Sequence, residues 1–370
     1  MSDFPIDILQ VLWYDDLKFY PDFVNMFQNK IIPHSKLNIK FVTPYKDVYQ
    51  ALKEYPCVTF CAETEILELF KQSRWIFLHP LSLGKIRTIL IKKSIANRII
   101  WRTWGHDIRL LKHNDLLHRV IFNVYVKKVR QFHAIGVDNP IDCENVEKVF
   151  GSGIDTVQLN YSGLNDQYYQ LKEIDKEPKC ERKTFKVMIG HNGGDGDNHF
   201  ELIDLMEKYK NENVCFSFPL SYGNKDRIKE IKKYAISHLG EDKCEFIEDF
   251  MPFSDYARYI KNVDVALMDQ EYSNALGNIT LLIYFKRKLY INENGDFAGS
   301  FKKRNLVINY TSEIRKQTFS QFVHQDSFDD GYLEYIKHYP LTEIDAALNG
   351  WCAYINKLMG FEAVVLNRDV

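Results

Sequence analysis

The sequence predicts an α/β protein made of two doubly wound domains, each a parallel sheet with helices on both faces. Three observations carry this. The chain has 370 residues, enough for two separate cores. Short apolar runs of strand length alternate with stretches of helical periodicity along the whole chain, the pattern of parallel strands buried on both faces. A polar stretch at 166–184 (DQYYQLKEIDKEPKCERKT, with Pro178) separates two such series of similar length.

The first series predicts strands at Ile6–Tyr14, Asn38–Thr43, Val58–Ala62, Trp75–His79, Ile99–Trp104, Phe132–Val137 and Thr156–Asn160, with a helix near Asp22–Asn29 after the first. The second predicts strands at Phe185–Gly190, Val214–Leu220, Cys244–Phe250, Val263–Asp269, Leu289–Asn294 and Leu306–Tyr310. Helices fall between them at His199–Tyr209, Asp226–Ala235, Ser254–Lys261 and Asn278–Phe285. The expected organisation is a first domain over 1–165, a linker over 166–184, a second domain over 185–340 and a helical segment over 341–370, most of it Leu341–Met359. No solenoid repeat or low-complexity tract interrupts this.

Composition narrows the function classes. Hydrophobic residues at 45% and charged residues at 26% exclude a disordered chain. No run approaches the roughly 20 apolar residues of a bilayer span. The start, MSDFPIDILQ, has acids where an export signal needs basic residues, so a cytoplasmic location is expected. Seven cysteines without CxxC spacing read as reduced, mostly buried thiols. The net charge of −2 hides an asymmetry: Lys85–Arg130 holds twelve Lys/Arg against Asp107 and Asp115. Such a basic belt fits an anionic partner (nucleic acid, lipid or a phosphorylated substrate) or simply a solvated helix face. Within it, Leu81–Asn97 mixes Leu83, Ile86, Ile89 and Leu90 with Lys85, Arg87, Lys92 and Lys93. That suits either an interfacial helix on anionic lipid or a core helix with a basic outer face.

The segment most informative about chemistry is Met188–His199, MIGHNGGDGDNH, where an apolar strand runs through Gly193, Gly194 and Gly196 into a helix. Glycines allow close backbone approach, and the helix start offers free N–H groups to a phosphate. The spacing is neither a Rossmann GxGxxG nor a Walker loop. Asp195 or Asp197 is expected to cap the helix, with His191 or Asn192 reaching a ligand. A second helix opens at Gly277–Asn278–Ile279–Thr280, and Tyr222 and Phe250 lie at two further strand ends, where ligands of doubly wound domains gather. In the first domain, Trp101–Arg109 (WRTWGHDIR) ends a strand with Gly105, His106 and Asp107. There His106 or Asp107 is a candidate general base on an acceptor hydroxyl, or Asp107 a helix cap.

WRTWGHDI, MIGHNGGDGDNH, FPLSYGN, FSDYARYIKNVDVALM and ALGNITLLIYFKRKLYINEN occur in the order of one family. They resemble the bacterial 4-acetamido-4,6-dideoxygalactose transferases of glycosyltransferase family 56, most strongly from Trp101 to Asn294. The resemblance implies a GT-B arrangement of two Rossmann-like domains facing a cleft, with no cofactor and no metal. It implies a nucleotide-sugar donor, dTDP- or UDP-linked, and a polyprenyl-diphosphate-linked saccharide acceptor in surface polysaccharide synthesis. The donor contacts it implies are His191, Asn192, Gly193, Asp195, Tyr222, Gly223, Gly277, Asn278 and Thr280, with His106 and Asp107 at the reaction centre. It also implies a peripheral place on the cytoplasmic face of the inner membrane, an anionic surface, with no nucleic acid bound. Two other readings remain beside it: a sugar-nucleotide epimerase on the same scaffold, and a non-catalytic nucleotide- or nucleic-acid-binding module.

Overall fold

The computed structural model describes residues 4–17, 19–81, 92–104, 106–109, 116–138, 140–161, 165–271, 274–303 and 305–360. Most of the amphipathic Leu81–Asn97 segment (82–91) and Gly105 lie outside these residues. The chain forms two units, Met1–Gly163 with Glu343–Val370, and Leu164–Thr342.

The first unit is built on seven strands: β1 (Ile6–Leu12), β2 (Ile39–Thr43), β3 (Val58–Phe60), β4 (Ser73–His79), β5 (Ile99–Arg102), β6 (Ala134–Val137) and β7 (Thr156–Gln158). They pair in parallel in the order β3-β2-β1-β4-β5-β6-β7. Successive strand residues point to opposite faces. Ile76, Leu78, Ile99, Trp101, Ile135 and Val137 therefore build one core, while Phe77, Ile100 and Ala134 join Phe23, Phe27 and Trp351 in the other. Burial on both faces is why these strands read as nearly continuous apolar runs.

The second unit repeats the plan with six: β8 (Phe185–Ile189), β9 (Val214–Pro219), β10 (Cys244–Ile247), β11 (Val265–Met268), β12 (Lys288–Ile291) and β13 (Asn309–Tyr310). All pairs are parallel, in the order β10-β9-β8-β11-β12-β13. Val187, Ile189, Val265, Leu267 and Tyr290 face one core; Met188, Ala266, Met268, Leu289 and Ile291 face the other.

Four details differ from the sequence expectations. The stretch read as a linker begins with a helix, Asn165–Lys176, whose Leu171 and Ile174 are buried in the second unit's core. Their i, i+3 spacing is a helix face diluted by charges. The C-terminal helix starts earlier than Leu341: one 30-residue helix runs from Asp330 to Met359. All seven cysteines are free, as expected, yet only Cys61 is buried; five are half-buried and Cys180 is exposed. Partial burial still pushes the thiols of Cys57, Cys244 and Cys352 up to about 11, so they stay protonated at neutral pH. The basic belt is thinner than its composition. Arg102 is buried with its guanidinium on Leu159 O, Thr103 O and Asp138, Arg98 binds Ser73 O and Phe70 O, and Arg130 binds Phe150 O. These three cations hold the first unit's backbone together. Among the described residues, no helix is long and apolar enough to cross a membrane.

Candidate functional site

In an open parallel sheet the ligand crevice lies where strand order reverses, beyond the carboxyl ends of the strands. In the second unit that point falls between β8 and β11. The loop after β8, residues 190–198, is fastened on both sides of it. On the β9 side, Gly193 and Gly223 form a parallel bridge: Gly193 N donates to Tyr222 O at 2.8 Å and Asn224 N to Gly193 O at 3.3 Å. Both positions need glycine. Gly223 has φ +127°, and a Cβ there would lie 2.5 Å from the Gly193 carbonyl carbon; one on Gly193 would meet Ile228. On the β11 side, Asn198 Nδ2 donates to Asp269 O at 2.8 Å and to its Oδ2 at 3.0 Å, while Thr311 Oγ1 donates to Asp269 Oδ1.

Inside the loop, Asp197 is buried and turned back on the strand end. Its Oδ2 accepts from the backbone N–H of His191 at 2.7 Å and of Asn192 at 3.2 Å, and lies 2.7 Å from His191 Nδ1. Burial opposes its charged form, but hydrogen bonding from His191 outweighs that and holds the carboxyl below its ordinary range. The following helix, His199–Met206, has Asn198 at its N-cap in the left-handed region (φ 49°) with no side-chain cap bond. Asp197 is therefore not the cap expected of it. The carboxylate serves the loop because an αL residue separates it from the helix axis. Asp195 opens the 3-10 turn Asp195–Asp197. His199 is fully buried beneath Gly190 with neither ring nitrogen hydrogen-bonded, and burial pulls its pKa down to about 4.

Around this centre, Asn192 Nδ2 lies 2.6 Å from His191 Nε2 and its Oδ1 accepts from Gly194 N. Tyr222 is 47% exposed, hydrogen-bonds the Asn192 side chain, and stands edge-on to the His191 ring at 6.3 Å. Arg227 donates from Nε to Gly194 O at 3.1 Å, supporting the loop from the helix Lys225–Leu239. After β11, Gln270 Nε2 donates to Asn274 O at 3.0 Å, and Ala275 (φ 62°) opens the helix Leu276–Tyr284. Gly277 lies in its first turn with nothing within 4 Å of a built Cβ, so its backbone faces open space; Asn278 follows, half-buried. Thr280 is 7% exposed and belongs to the buried side of the same helix. The structure thus gathers His191, Asn192, Gly193, Tyr222 and Gly223 directly, and Gly196 approaches Asn274 ahead of the Gly277 turn. Asp197, Asn198, Asp269 and Arg227 complete the frame. Only the DGDN run hinted at them, through residue types that favour turns and αL.

In the first unit, order reverses between β1 and β4. Beyond β5, Asp107 is 2% exposed. Its Oδ1 accepts from Thr103 Oγ1 at 2.8 Å and Trp104 N at 2.9 Å, and its Oδ2 from the Trp101 indole at 3.0 Å. It anchors the turn that begins the helix His106–Arg109, of which His106 is the first residue. Nearby, a polar chain crosses the aromatic core: Gln10 Oε1 to His79 Nε2 at 2.6 Å, and His79 Nδ1 to Tyr161 Oη at 2.6 Å. Burial, then the Arg102 charge, pull the His79 pKa far down, so the imidazole is neutral. Among the described residues, no group of three His, Cys, Asp or Glu side chains is arranged to hold a metal ion.

Two parallel-sheet Rossmann-like units in one chain define the GT-B architecture, and the protein is a glycosyltransferase of that fold. Three solved structures share the fold at low sequence identity. A glycosyltransferase from Rickettsia africae ESF-5 matches at 8% identity and TM-score 0.60, over 96% of this chain and 98% of that one. An α,α-trehalose-phosphate synthase (UDP-forming) from Burkholderia vietnamiensis matches at 8% and 0.57, over 96% and 100%. A structure from E. coli described as trehalose-6-phosphate bound with UDP-2-fluoro glucose matches at 9% and 0.53, over 93% and 85%. The model of the family described as 4-alpha-L-fucosyltransferase, glycosyl transferase group 56, matches residues 63–330, most of the chain. The chain belongs to that family, which sets aside the epimerase and the non-catalytic module.

Proposed function

We propose that this glycosyltransferase takes a deoxyamino sugar from a dTDP- or UDP-linked donor and transfers it to a polyprenyl-diphosphate-linked saccharide. The work would be done peripherally, on the anionic cytoplasmic face of the inner membrane, in surface polysaccharide assembly. The observation that carries the donor half is the fastened 190–198 loop at the β8/β11 reversal, with the Gly277 turn open beside it. In this reading the diphosphate meets the N-terminus of the helix Leu276–Tyr284 and the His191–Asn192 side chains, and Tyr222 contacts the nucleoside. Asp195, Gly223, Asn278 and Thr280 complete the donor contacts. Helix N–H groups and a histidine can balance a diphosphate without a metal ion, and no cofactor is called for.

In the transfer, an acceptor hydroxyl oxygen forms a bond to the anomeric carbon. The bond from that carbon to the diphosphate oxygen breaks, and the nucleoside diphosphate leaves with the electron pair. The hydroxyl proton passes to a base beyond β5. That base is assigned to His106, since the Asp107 carboxylate already accepts three hydrogen bonds and fixes the turn. The acceptor diphosphate and the leaflet are assigned to the basic 85–130 segment, with Lys92 and Lys93 among its cations.

The test of the donor half is isothermal calorimetry with dTDP, UDP, GDP, CMP and ADP, with and without magnesium. Selective binding of dTDP or UDP that survives EDTA is expected; preference for a purine nucleotide would overturn it. For the membrane half, vesicles with anionic lipid should pellet the protein, and charge reversal at Lys92 and Lys93 should release it. Polynucleotide binding in place of vesicle binding would overturn it.

A further inference from the structure

The geometry points to an aromatic platform in the first unit, made by Tyr14, Phe19 and Trp104, as the subsite that stacks a pyranose ring of the acceptor saccharide. This inference rests on the acceptor half of the reading above.

Strand order in the first unit reverses between β1 and β4, and ligands of such sheets lie beyond the carboxyl ends of the strands. Aromatic rings gather at that end. Tyr14 follows β1, Trp104 follows β5, Tyr161 follows β7, and Phe19 precedes the helix Tyr20–Met26. Trp104 is their hub: its ring stands edge-on to Tyr14 at 5.4 Å and to Phe19 at 5.7 Å, and lies 6.0 Å from Tyr161. Large apolar side chains are normally buried, yet Tyr14 and Phe19 are each 42% exposed and Leu17 between them is 54% exposed. Buried neighbours fix the platform. The Arg102 guanidinium lies 4.2 Å over the Tyr161 ring, and Tyr161 Oη is 2.6 Å from His79 Nδ1. The Phe19 N–H donates to Asp16 Oδ1 at 2.6 Å, which sets the loop between Tyr14 and Phe19. Rings held in place before a ligand arrives lose little entropy when it binds.

Two features select a sugar over an isoprenoid chain. The C–H face of a pyranose carries slight positive charge and matches the negative face of an aromatic ring, while its hydroxyls need acceptors at the rim. The same loop supplies them, with the Asp15 carboxylate exposed and that of Asp16 half-buried. Carboxylates beside the rings are costly against a hydrocarbon chain or an anionic leaflet. The second feature is continuity with the assigned base. The Trp104 N–H donates to Asp107 Oδ1 at 2.9 Å, in the turn that leads into His106. A sugar stacked on Trp104 therefore sits at the turn where an acceptor hydroxyl has to lose its proton.

The experiment uses the full chain with the methyl glycosides of glucose, N-acetylglucosamine and glucuronic acid, and with farnesyl phosphate as an isoprenoid probe. Saturation-transfer NMR reads which probe protons touch the protein, and titration gives the Kd. Wild type is expected to bind at least one glycoside through its ring C–H protons, with the Trp104 indole N–H resonance shifting as it binds. Tyr14→Ala and Phe19→Ala should each weaken that binding about tenfold. Asp15→Asn, an isosteric change at an exposed position, should weaken it roughly threefold. Calorimetry with dTDP and UDP on the same variants should match wild type, which shows each to be folded. Glycoside binding unchanged in all three variants, no glycoside bound by wild type, or farnesyl phosphate bound in their place overturns this inference. Nucleotide binding and vesicle pelleting that persist without glycoside binding strike this subsite alone. Glycoside binding without nucleotide binding or vesicle pelleting strikes the reading above and leaves the subsite in place.

Discussion

His199 is the residue where burial and titration conflict most openly. Its folded pKa of about 4 lies below the ordinary value of 6.5, so the unfolded chain binds a proton more readily than the native protein does. Its contribution to stability is therefore intact above pH 6.5 and falls as pH drops towards 4, by about 3 kcal/mol in all. Wild type should lose stability relative to His199→Phe as the solution is acidified across that window; a pH-independent difference between their melting temperatures would contradict the assignment. Asp197 works in the same sense at lower pH: its depressed pKa supports stability above the carboxylate range, and that support is lost as pH falls through it. Gly223 offers a backbone test. An added Cβ would sit within 2.8 Å of three Gly193 backbone atoms at φ +127°, so no side-chain movement relieves it. Gly223→Ala should cost about 2 kcal/mol or more and abolish nucleotide binding; Gly193→Ala drives its Cβ into the Ile228 side chain and should also destabilise, by less because a side chain and not backbone must shift.

At the scale of elements, helix starts decide how much of the site is built. Ala275 sits at φ 62° where the helix Leu276–Tyr284 begins, a conformation that costs a β-carbon about 1 kcal/mol. Ala275→Gly should raise the melting temperature of the second unit slightly and leave the Gly277 turn intact; a lower one would mean the methyl packs usefully. At the end of β5, Asp107→Ala strands the Trp101 indole and Thr103 hydroxyl and should cost about 3 kcal/mol. His106→Ala should leave the melting temperature nearly unchanged and lower kcat at least a hundredfold. The reverse pattern in those two variants would move the base to Asp107. The central strands were legible because each is buried on two faces and reads as an apolar run. The helix Asn165–Lys176 was not, since only Leu171 and Ile174 mark its inner face among charges. Of the site, the glycine loops showed in the sequence through their residue types. The pairing of Gly193 with Gly223 and the turning back of Asp197 did not, because both depend on contacts set by the sheet order and an αL residue at Asn198.

For the whole molecule, the two sheets reverse their strand order at β1/β4 and at β8/β11, and the residues singled out by chemistry lie on loops beyond those sheets' carboxyl ends. The sequence located those loops by alternation and glycine content. It overstated the basic belt, because arginines that bind carbonyls from within, such as Arg102, look the same in composition as arginines on the surface. The proposed donor site places a pyrimidine nucleoside diphosphate at the 190–198 loop of the second unit. Thermal unfolding of the full chain with dTDP or UDP tests it most directly, since a ligand at 100 times its Kd adds about 2.7 kcal/mol to the native state. A melting-temperature rise with one of these two, unchanged by magnesium or EDTA and lost in Asn192→Ala, is the predicted result. No rise with any nucleotide, or an equal rise in Asn192→Ala, would contradict it.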